Sequence, residues 1–552
     1  MSKNISKLSG RKGLQENLFS KVKLPGNDIA ETADQYLVGK STIYGSKTFY
    51  DFLNKQHSDK KAWVCSGSSC LCSGDQERVT RVLENQLGDG QVGRMTCLGR
   101  CYDADSFQYD ARNFSGGVSG DLNILDTSIK TSRDYEVRLV SNTAVLTDGG
   151  FHSTETFREA LLELMKSSEV DVLGEITKSG LRGRGGAGFP TGTKWDSCRR
   201  IRDEKKFVVC NGDEGDPGAF SDRYLMEEQS YRVCYGMLVA AWIVGAKEGV
   251  IYVRAEYPES VTAMQQTVDE LKREQLLGNN IADTGFSFEI EIVEGAGAYV
   301  CGEETALIAS IEGRRPEVDV RPPFPTEEGL YKKPTVLNNV ETFAAIQRIL
   351  AIGGDSYAQL GSESSTGTKL LSLDAGFNRP GIVEVEMGLP LRQVIDEIAM
   401  GFKQSTKAIH IGGPLGGLVP VSKIDDLSVD FESFSEHGFL LGHASFVCIP
   451  DSFSMMRYLE HLFEFTRDES CGKCFPCRLG STRGKEMFSQ ALKGEKLLDR
   501  NLLDDLLTTM QHGSLCALGG GLPLPVWNAL MYFEDELSAY FENINGQPGD
   551  RL

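Results

Sequence analysis

The 552-residue sequence contains no long apolar run and no recognisable export signal. Crossing a bilayer takes about 18 consecutive apolar residues or more, whereas the longest apolar stretch, Gly236–Ala246, has the length of a buried helix. The first thirty residues mix Lys, Asn, Glu and Gly without the apolar segment of a secretory signal. We therefore expect no direct membrane insertion and a cytoplasmic location.

Positive charge is also scarce, because 78 acidic residues outnumber 58 basic ones and give a formal net charge of −20. A protein that binds nucleic acid needs a basic face, so we expect no nucleic-acid partner. The 14 cysteines are too few for a disulfide scaffold in a chain of this length. In a reducing compartment, clustered cysteines indicate metal ligands.

The order of patterns along the chain predicts an α/β multidomain protein. Length alone predicts three to four domains of about 150 residues, and helices that alternate with short β runs, such as Lys206–Cys210, indicate a parallel sheet. We divide the chain into an N-terminal extension that is partly ordered or a strap on a partner (1–41), a cysteine-bearing domain (42–120), a linker (121–150), a parallel α/β domain (151–360), a small α+β domain (361–445) and a helical domain (446–552).

The C-terminal cysteines form the motif Cys471-x-x-Cys474-x-x-Cys477, and Cys516 follows further on. Three closely spaced thiolates with a fourth from another segment suit a [4Fe–4S] cluster. A structural zinc site is the alternative, but such sites usually contain two CxxC pairs. The grouping of the ligands favours iron–sulfur.

The N-terminal cysteines form two pairs, Cys65-x₄-Cys70 and Cys97-x₃-Cys101. Two such pairs suit the two irons of a [2Fe–2S] cluster, and the alternatives are zinc or a vestigial domain that binds nothing. Cys72 is an extra thiol that leaves the choice of ligands open. We expect the remaining cysteines to be packing residues: Cys198, Cys210, Cys234, Cys301 and Cys448.

Three loops have the composition of ligand-binding segments. Gly180–Gly192 is the densest glycine segment, where backbone amides can approach a phosphate or flavin edge, unless it is simply a mobile surface loop. Asn211–Gly218 carries three carboxylates at the end of a buried strand, where α/β proteins bind ligands, although a solvated acidic turn would look the same. Gly295–Thr305 ends in Glu303 and Glu304, which helix capping alone would explain.

Taken together, these motifs resemble one family. In chain order they are the glycine loop, the acidic loop, Gly295–Ala306, Lys333–Thr335 with Asn338–Thr342, and Glu469–Cys474. From about Gly150 onwards the sequence resembles the NADH-binding flavoprotein subunit of respiratory complex I and its relatives in NAD-linked hydrogenase, formate dehydrogenase and electron-bifurcating complexes. Residues 42–120 resemble the thioredoxin-like [2Fe–2S] domain, which in complex I is a separate subunit.

The resemblance implies a thioredoxin-like domain, a Rossmann-like domain for FMN and NAD(H), a small α+β (ubiquitin-like) domain and a helical [4Fe–4S] domain. It implies that FMN is held by Gly183, Arg184, Gly185, Lys194, Asn211, Asp213, Gly302, Glu303, Asn338 and Asn339. It implies that NAD(H) lies near Phe189, Glu214, Asp216, Glu304, Arg321 and Phe324, and we expect Glu214 to position the nicotinamide. The implied cluster ligands are Cys471, Cys474, Cys477 and Cys516 for [4Fe–4S], and Cys65, Cys70, Cys97 and Cys101 for [2Fe–2S].

The sequence departs from complex I at two places within the motifs. Gly215 and Asp216 are more similar to the soluble hydrogenase, formate dehydrogenase and bifurcating members. Ser197 stands where the family leads us to expect a further aromatic residue against the adenine. The C-terminal ferredoxin domain of some bifurcating relatives is not found after Tyr540.

We therefore expect an NAD(H)-dependent oxidoreductase subunit, a diaphorase, in a soluble multisubunit complex. Hydride would pass between nicotinamide and flavin, and single electrons would pass between flavin and clusters. The expected partners are an iron–sulfur subunit and a terminal hydrogenase or formate dehydrogenase subunit, with ferredoxin as a further candidate. The alternatives are a flavin-based bifurcating subunit and a zinc-bearing scaffold without redox function. We expect NAD rather than NADP, because no basic residue can be assigned to a 2′-phosphate.

Overall fold

The structure, a computed structural model, describes residues 18–22, 28–36, 38–114 and 135–542. The start of the predicted extension, the first part of the predicted linker and the last ten residues lie outside this range. The described strands, in chain order, are β1 (Ala62–Cys65), β2 (Val92–Met95), β3 (Phe107–Tyr109), β4 (Arg112–Phe114), β5 (Glu136–Leu139), β6 (Phe207–Gly212), β7 (Glu248–Val253), β8 (Glu289–Glu294), β9 (Thr335–Asn339), β10 (Thr368–Leu373), β11 (Gly381–Glu386), β12 (Thr406–Ile411), β13 (Gly417–Pro420) and β14 (Ser445–Pro450).

A parallel sheet with the strand order β8-β7-β6-β9 forms the centre of the molecule and confirms the predicted α/β class. Alternate residues of β6 point to opposite faces, so Val208 and Cys210 enter one core and Phe207 and Val209 enter another. The helices that cover the first face are Thr154–Leu164, Glu169–Lys178, Thr191–Arg200, Ser221–Glu228, Ser230–Val244, Pro258–Arg273, Val340–Ile352 and Gly354–Ala358.

The second face of the parallel sheet is covered by the helix Glu304–Ile311 and by the N-terminal segment. The described N-terminal helices are Leu18–Val22, Ile29–Tyr36 and Lys40–Phe49. Their apolar side chains share one core with β6 and β7. A parallel sheet must bury both faces, and the described part of the extension covers one face of the chain's own sheet.

The small α+β domain contains a six-stranded sheet in the order β13-β12-β14-β10-β11-β5. Two of its strands lie outside the predicted boundaries: β5 comes from the predicted linker and pairs with β11, and β14 continues to Pro450. These strands are short, and their pairing depends on distant partners that a local pattern does not reveal. The short helices of this domain are Leu391–Gln393, a π-helical turn at Val394–Ile398, and Phe431–Glu436.

The cysteine-bearing N-terminal domain is a four-stranded sheet in the order β2-β1-β3-β4. The helices Ser68–Ser73 and Gln76–Leu87 pack on it. The C-terminal domain consists of the helices Met455–Glu469, Phe475–Leu492, Arg500–Gly513, Ala517–Gly521, Pro523–Tyr532 and Glu534–Leu537. Among the described helices, none has both the length and the apolar character that spanning a membrane requires.

One buried carboxylate joins the parallel domain to the six-stranded sheet. Glu384 on β11 accepts hydrogen bonds from the backbone amides of Val145, Leu146 and Thr147, at 2.8 to 3.2 Å. The hydroxyls of Thr147 and Thr368 also donate to it, at 2.6 and 2.7 Å. Five donors therefore depend on one fully buried side chain.

We expect the substitution Glu384→Gln to loosen the segment 145–147. The amide group replaces an accepting oxygen with a donor that faces other donors, and an unsatisfied buried polar group costs about 1–3 kcal/mol. Hydrogen exchange measured by mass spectrometry should become faster at residues 145–147. Glu386→Gln is the matched control, because Glu386 accepts from the hydroxyl of Ser141 in the neighbouring turn. Equal exchange in the two variants would contradict this role.

Candidate functional site

A cavity of about 220 Å³ lies where the parallel domain, the six-stranded sheet and the helical domain meet. The residues from the last two domains include Leu415, His443, Cys516 and Leu518. Six of the ten residues predicted to hold FMN line this cavity: Gly185, Asn211, Asp213, Gly302, Glu303 and Asn339.

The parallel strands explain why these residues meet. Asn211 and Asn339 are register partners at the carboxyl ends of β6 and β9, and this edge is where open α/β sheets bind ligands. The side chain of Asn211 donates to the backbone oxygen of Gly302 at 2.8 Å, and so fixes the third loop against the second. Asn339 caps the following helix by accepting from the amide of Glu341.

The glycine loop is closed rather than mobile at its base. Gly183 N donates to the backbone oxygen of Phe189 at 2.8 Å. Gly186 and Gly188 have φ values of +110° and +61°, which favour glycine. At Gly185, an added Cβ would lie 3.0 Å from the Cβ of Asn339, so the loop can approach the strand end only without a side chain.

Buried carboxylates dominate the cavity. Burial raises the pKa of Asp213 well above its usual range, and its Oδ2 is buried without a hydrogen-bond partner. Burial and the nearby Asp222 raise the pKa of Glu214 to about 7. The backbone amides of Asp222 and Arg223 donate to Glu214 at 2.9 and 3.1 Å. Asp216 is half-buried, and its carboxylate accepts from the hydroxyl of Tyr299 at 2.6 Å.

Glu303 both caps a helix and lines the cavity. Its Oε2 accepts from the amides of Thr305 and Ala306, each at 2.9 Å. Burial raises the pKa of Glu303, and its Oε1 makes no hydrogen bond, although a guanidinium nitrogen of Arg321 lies 3.9 Å away. Capping therefore accounts for one oxygen, as the sequence suggested, and leaves the other for a ligand.

Four residues predicted for FMN lie outside the cavity lining. The guanidinium of Arg184 is buried and donates to the backbone oxygen of Thr366 at 2.6 Å, on the side of the small domain. Lys194 donates to the backbone oxygen of Leu337, and Trp195 donates to Asn338. Gly183 lies at the base of the glycine loop. The structure therefore places the charge of Arg184 away from the cavity.

The residues predicted for NAD(H) fall into two groups. Glu214 and Asp216 line the cavity. Phe189 and Phe324 are about half exposed, at 51% and 50%, which is unusual for such large apolar side chains. Arg321 donates to Glu304 at 2.6 Å, and Lys194 lies 3.7 Å from the same carboxylate.

Several cavity residues were not predicted from the sequence. The most notable are Asp222 and His443, whose Oδ2 and Nε2 atoms lie 3.0 Å apart. An aspartate in the first turn of a helix looks like an ordinary helix-stabilising residue. The histidine stands alone in a turn before a strand, so no local signal marks either residue.

The C-terminal cysteines come together at the edge of this cavity. Cys474, Cys477 and Cys516 pack with Tyr299 and Phe465, and the charges of Cys471 and Cys477 act on the thiol of Cys516. Gly472 has a φ of +79°, a left-handed backbone conformation that favours glycine. An added Cβ at Gly519 would lie 3.0 Å from the sulfur of Cys477, so only glycine fits there.

The N-terminal cysteines also come together. The sulfurs of Cys97 and Cys101 are 3.6 Å apart, close to the separation of two thiolates on one iron. Cys70 donates a hydrogen bond to Cys65 and lowers its pKa, so these two sulfurs are also adjacent. Cys72 instead packs against the helical domain.

The spacing of the sulfurs argues against zinc. Tetrahedral zinc holds thiolates about 2.3 Å from the metal, so all four sulfurs would lie about 4 Å apart. Within the described ranges, the one group of three or more candidate ligand atoms mutually within 4.8 Å is Glu214, Asp222 and His443. No three cysteine sulfurs of the described residues lie mutually within that distance, so neither cysteine group has the close packing of a four-thiolate zinc site in this structure. The three cavity residues already hold one another through hydrogen bonds and an ion pair.

The cavity fits a polar, aromatic cofactor. Buried polar atoms are nearly always paired, yet one polar atom in each of four lining residues has no partner: Asp213, Asp222, Glu303 and His443. The glycine loop leaves room for close backbone approach. These features match the donors and acceptors that FMN offers.

Comparison with known families supports this assignment. A family described as the Nuo51 FMN-binding domain matches residues 176–348. A second, described as the NADH-ubiquinone oxidoreductase-F iron–sulfur binding region, matches residues 457–540. The two matches cover the cavity loops and all four C-terminal cysteines.

Curated relatives and a solved structure extend the likeness. The chain is 39% identical to the NADP-reducing hydrogenase subunit HndC of Solidesulfovibrio fructosivorans, over 70% of this chain and 79% of that one. It is 38% identical to an NADH-quinone oxidoreductase F-type subunit of Rhizobium meliloti, over 71% and 93%. It is 33% identical to the NAD-reducing hydrogenase HoxS subunit alpha of Cupriavidus necator, over 93% and 86%.

A crystal structure of an NAD⁺-reducing [NiFe]-hydrogenase in the H₂-reduced state superposes with a TM-score of 0.81 and 26% identity, over 94% of this chain and 91% of that one. The chain therefore belongs to the family of NADH-binding, FMN- and iron–sulfur-dependent flavoprotein subunits that includes the F-type subunits of NADH-quinone oxidoreductase and subunits of NAD(P)-reducing hydrogenases.

Proposed function

We propose that this NADH oxidoreductase subunit exchanges electrons between NAD(H), FMN and two iron–sulfur clusters within a complex of the NAD-linked hydrogenase type. The observation that carries the proposal is one loop, Asn211–Gly218, which lines the cavity and also contacts the N-terminal cysteines. Asp213, Glu214 and Asp216 line the cavity. Gly218 N donates to the sulfur of Cys101 at 3.2 Å.

FMN would be held by the lining residues that the structure brings together: Gly185, Asn211, Asp213, Gly302, Glu303 and Asn339. Bound FMN supplies the exchange between a hydride and single electrons. The protein would position the cofactor and set the electrostatic environment around it. The oxygens of Asp213 and Glu303 that make no hydrogen bond would accept hydrogen bonds from the cofactor. The glycine loop would let one edge of the cofactor approach the backbone.

Contacts on two sides of the cavity support the route for electrons. On one side, Tyr299 lines the cavity and packs edge-on against Phe465, with ring centroids 4.9 Å apart, beside the C-terminal cysteines. On the other side, the last residue of the acidic loop, Gly218, donates a hydrogen bond to the sulfur of Cys101. We propose that Cys471, Cys474, Cys477 and Cys516 would hold a [4Fe–4S] cluster, and that Cys65, Cys70, Cys97 and Cys101 would hold a [2Fe–2S] cluster. The first would supply a direct acceptor for electrons from the flavin, and the second would supply a branch.

We propose that NAD(H) enters over Phe189 and Phe324, whose exposed rings would contact the adenine. The carboxylates of Glu214 and Asp216 then lie near the nicotinamide. We propose NAD rather than NADP, because Arg321 and Lys194, the cations of the predicted NAD(H) region, already pair with Glu304. Turnover measured with each nucleotide decides this preference.

The family consists of subunits of larger assemblies, so this chain works with partner subunits. We propose a hydrogenase subunit as the terminal partner. The alignment with the NAD-reducing hydrogenase HoxS subunit alpha covers 93% of this chain, so it must include part of the N-terminal cysteine domain at residues 42–120. Ferredoxin remains a candidate partner, tested by activity of the purified complex with and without it. None of the 14 cysteines forms a disulfide bond, which supports a reducing, cytoplasmic location.

We expect the cysteine variants to separate the two clusters by iron content. The intact protein should contain about six iron atoms per chain, four in one cluster and two in the other. Cys70→Ala should lose about two and Cys477→Ala about four, as measured by elemental analysis and electron paramagnetic resonance. Cys72→Ala is the control, since its thiol is buried away from the cluster ligands. Iron loss in that control, or zinc in place of iron, would overturn the ligand assignment.

We expect Glu214→Gln to slow NADH oxidation roughly ten- to hundredfold, the size of one lost charge-assisted hydrogen bond, while FMN stays bound. Because burial raises the pKa of Glu214 to about 7, the carboxylate is charged above that pH and neutral below it. The wild-type pH profile of kcat/KM should therefore bend near pH 7, and the variant profile should not. Glu436→Gln, on an exposed helix end, is the control. Loss of FMN from Glu214→Gln would contradict this role.

We expect Phe324→Ala to raise the KM for NADH roughly tenfold with little change in kcat. Aromatic stacking on a base is worth about 1–3 kcal/mol, and the adenine is remote from the hydride. Steady-state kinetics with NADH measure the effect. Tyr44→Ala removes a similarly exposed aromatic side chain that does not line the cavity and should leave KM unchanged. An unchanged KM in Phe324→Ala would exclude adenine contact at this ring.

A further inference from the structure

His443 enters the cavity from a different domain than the acidic residues. It lies in the turn before β14, in the six-stranded sheet, whereas the carboxylates come from loops of the parallel domain. Among the described residues that line the cavity, His443 is the one whose side chain can carry a positive charge. The five acidic residues that line it are Asp213, Glu214, Asp216, Asp222 and Glu303.

The ring of His443 is held in one orientation. Its Nε2 lies 3.0 Å from Oδ2 of Asp222, and the same oxygen accepts from Nδ2 of Asn339 at 2.5 Å. A carboxylate bound to one ring nitrogen fixes the role of the other. Asp222 is itself buried at the start of a helix, so the pair has little freedom.

The second ring nitrogen of His443 is unpartnered. Nδ1 is buried and makes no hydrogen bond, and the nearest carboxylate oxygen, Oε1 of Glu214, is 3.8 Å away. Such a distance is too long for a hydrogen bond. A buried donor without a partner in a cavity wall indicates a ligand atom opposite it.

The charges around His443 favour the imidazolium form. Asp222 and Glu214 face it from the parallel domain, Asp216 lies near, and Lys369 on β10 opposes them. Burial alone would lower the pKa of His443, but the charge of Asp222 and its hydrogen bond outweigh burial and raise the pKa to about 9. The ring is therefore charged at neutral pH.

We propose that His443 is a positioning residue for the flavin: Asp222 holds its Nδ1–H toward the cavity, where it donates to FMN and binds the reduced, more negative form more tightly than the oxidised form. This inference rests on the proposed function. It also gives the small α+β domain a part in the site beyond closing it.

The test compares the flavin midpoint potential of the full-length FMN-bound protein with that of His443→Gln, by spectroelectrochemical titration without NADH. Glutamine retains a hydrogen bond to Asp222 but has no charge. We expect reduced FMN to bind about tenfold less tightly relative to oxidised FMN at pH 7, which lowers the potential by about 30 mV. The difference should close above about pH 9, where wild-type His443 loses its proton.

Asp222→Asn provides a second, independent variant. It keeps a hydrogen-bonding side chain beside Nε2 but removes the charge that holds the proton on His443. The drop in potential should then occur at lower pH, toward the ordinary titration range of histidine. His437→Gln, an exposed histidine at the end of the helix Phe431–Glu436, should match the wild type at every pH.

The outcomes separate this inference from the proposed function. A potential difference between wild type and His443→Gln that stays constant from pH 6 to pH 10, or no difference at all, would overturn the role of His443 while leaving the flavin site intact. If His443→Gln cannot hold FMN, the pH at which the flavin midpoint potential of Asp222→Asn drops decides the question. Wild-type protein that binds no FMN would instead overturn the function.

Discussion

The structure depends on carboxylates buried at the carboxyl ends of parallel strands. A carboxylate removed from water costs several kcal/mol unless it is paired or hydrogen-bonded. Glu214 meets this need with helix amides, and Asp222 meets it with Asn339 and His443. Asp213 and Glu303 each keep one oxygen without a partner. These two oxygens therefore lack the hydrogen bonds that a bound cofactor would supply.

Glycine allows three domains to close over these carboxylates. A Cβ at Gly413 would lie 2.4 Å from the carboxyl carbon of Asp216, and a Cβ at Gly215 would lie 2.7 Å from the ring of Tyr299. Contacts so short do not occur between real atoms. The six-stranded sheet and the Tyr299 turn can therefore reach the acidic loop only because side chains are missing there.

The sequence predicts those parts of the site that are encoded locally. Cysteine spacing predicted the proximity of Cys97 and Cys101 and that of Cys471, Cys474 and Cys477, because the cysteines within each of these motifs lie a turn or two apart. The side chain of Arg184 was expected at the anionic ligand, but the structure directs it toward Thr366, because a buried guanidinium is satisfied by whichever carbonyl oxygens the fold supplies. His443 and Asp222 are 221 residues apart. Only the packing of one domain on another brings them together, so no local pattern could predict the pair.

Residues that contact Glu214 of the acidic loop also hold the N-terminal cysteine domain against the parallel domain. Arg223, next to Asp222, donates to the backbone oxygen of Gly99 at 2.9 Å. A Cβ at Gly99 would collide with the ring of Tyr257, so the Cys97–Cys101 turn is pressed against the parallel domain. The residues that fix Glu214 in the cavity thus also fix the turn that carries two sulfur ligands. A domain attached in this way cannot move away from the cavity without breaking these contacts beside the carboxylates.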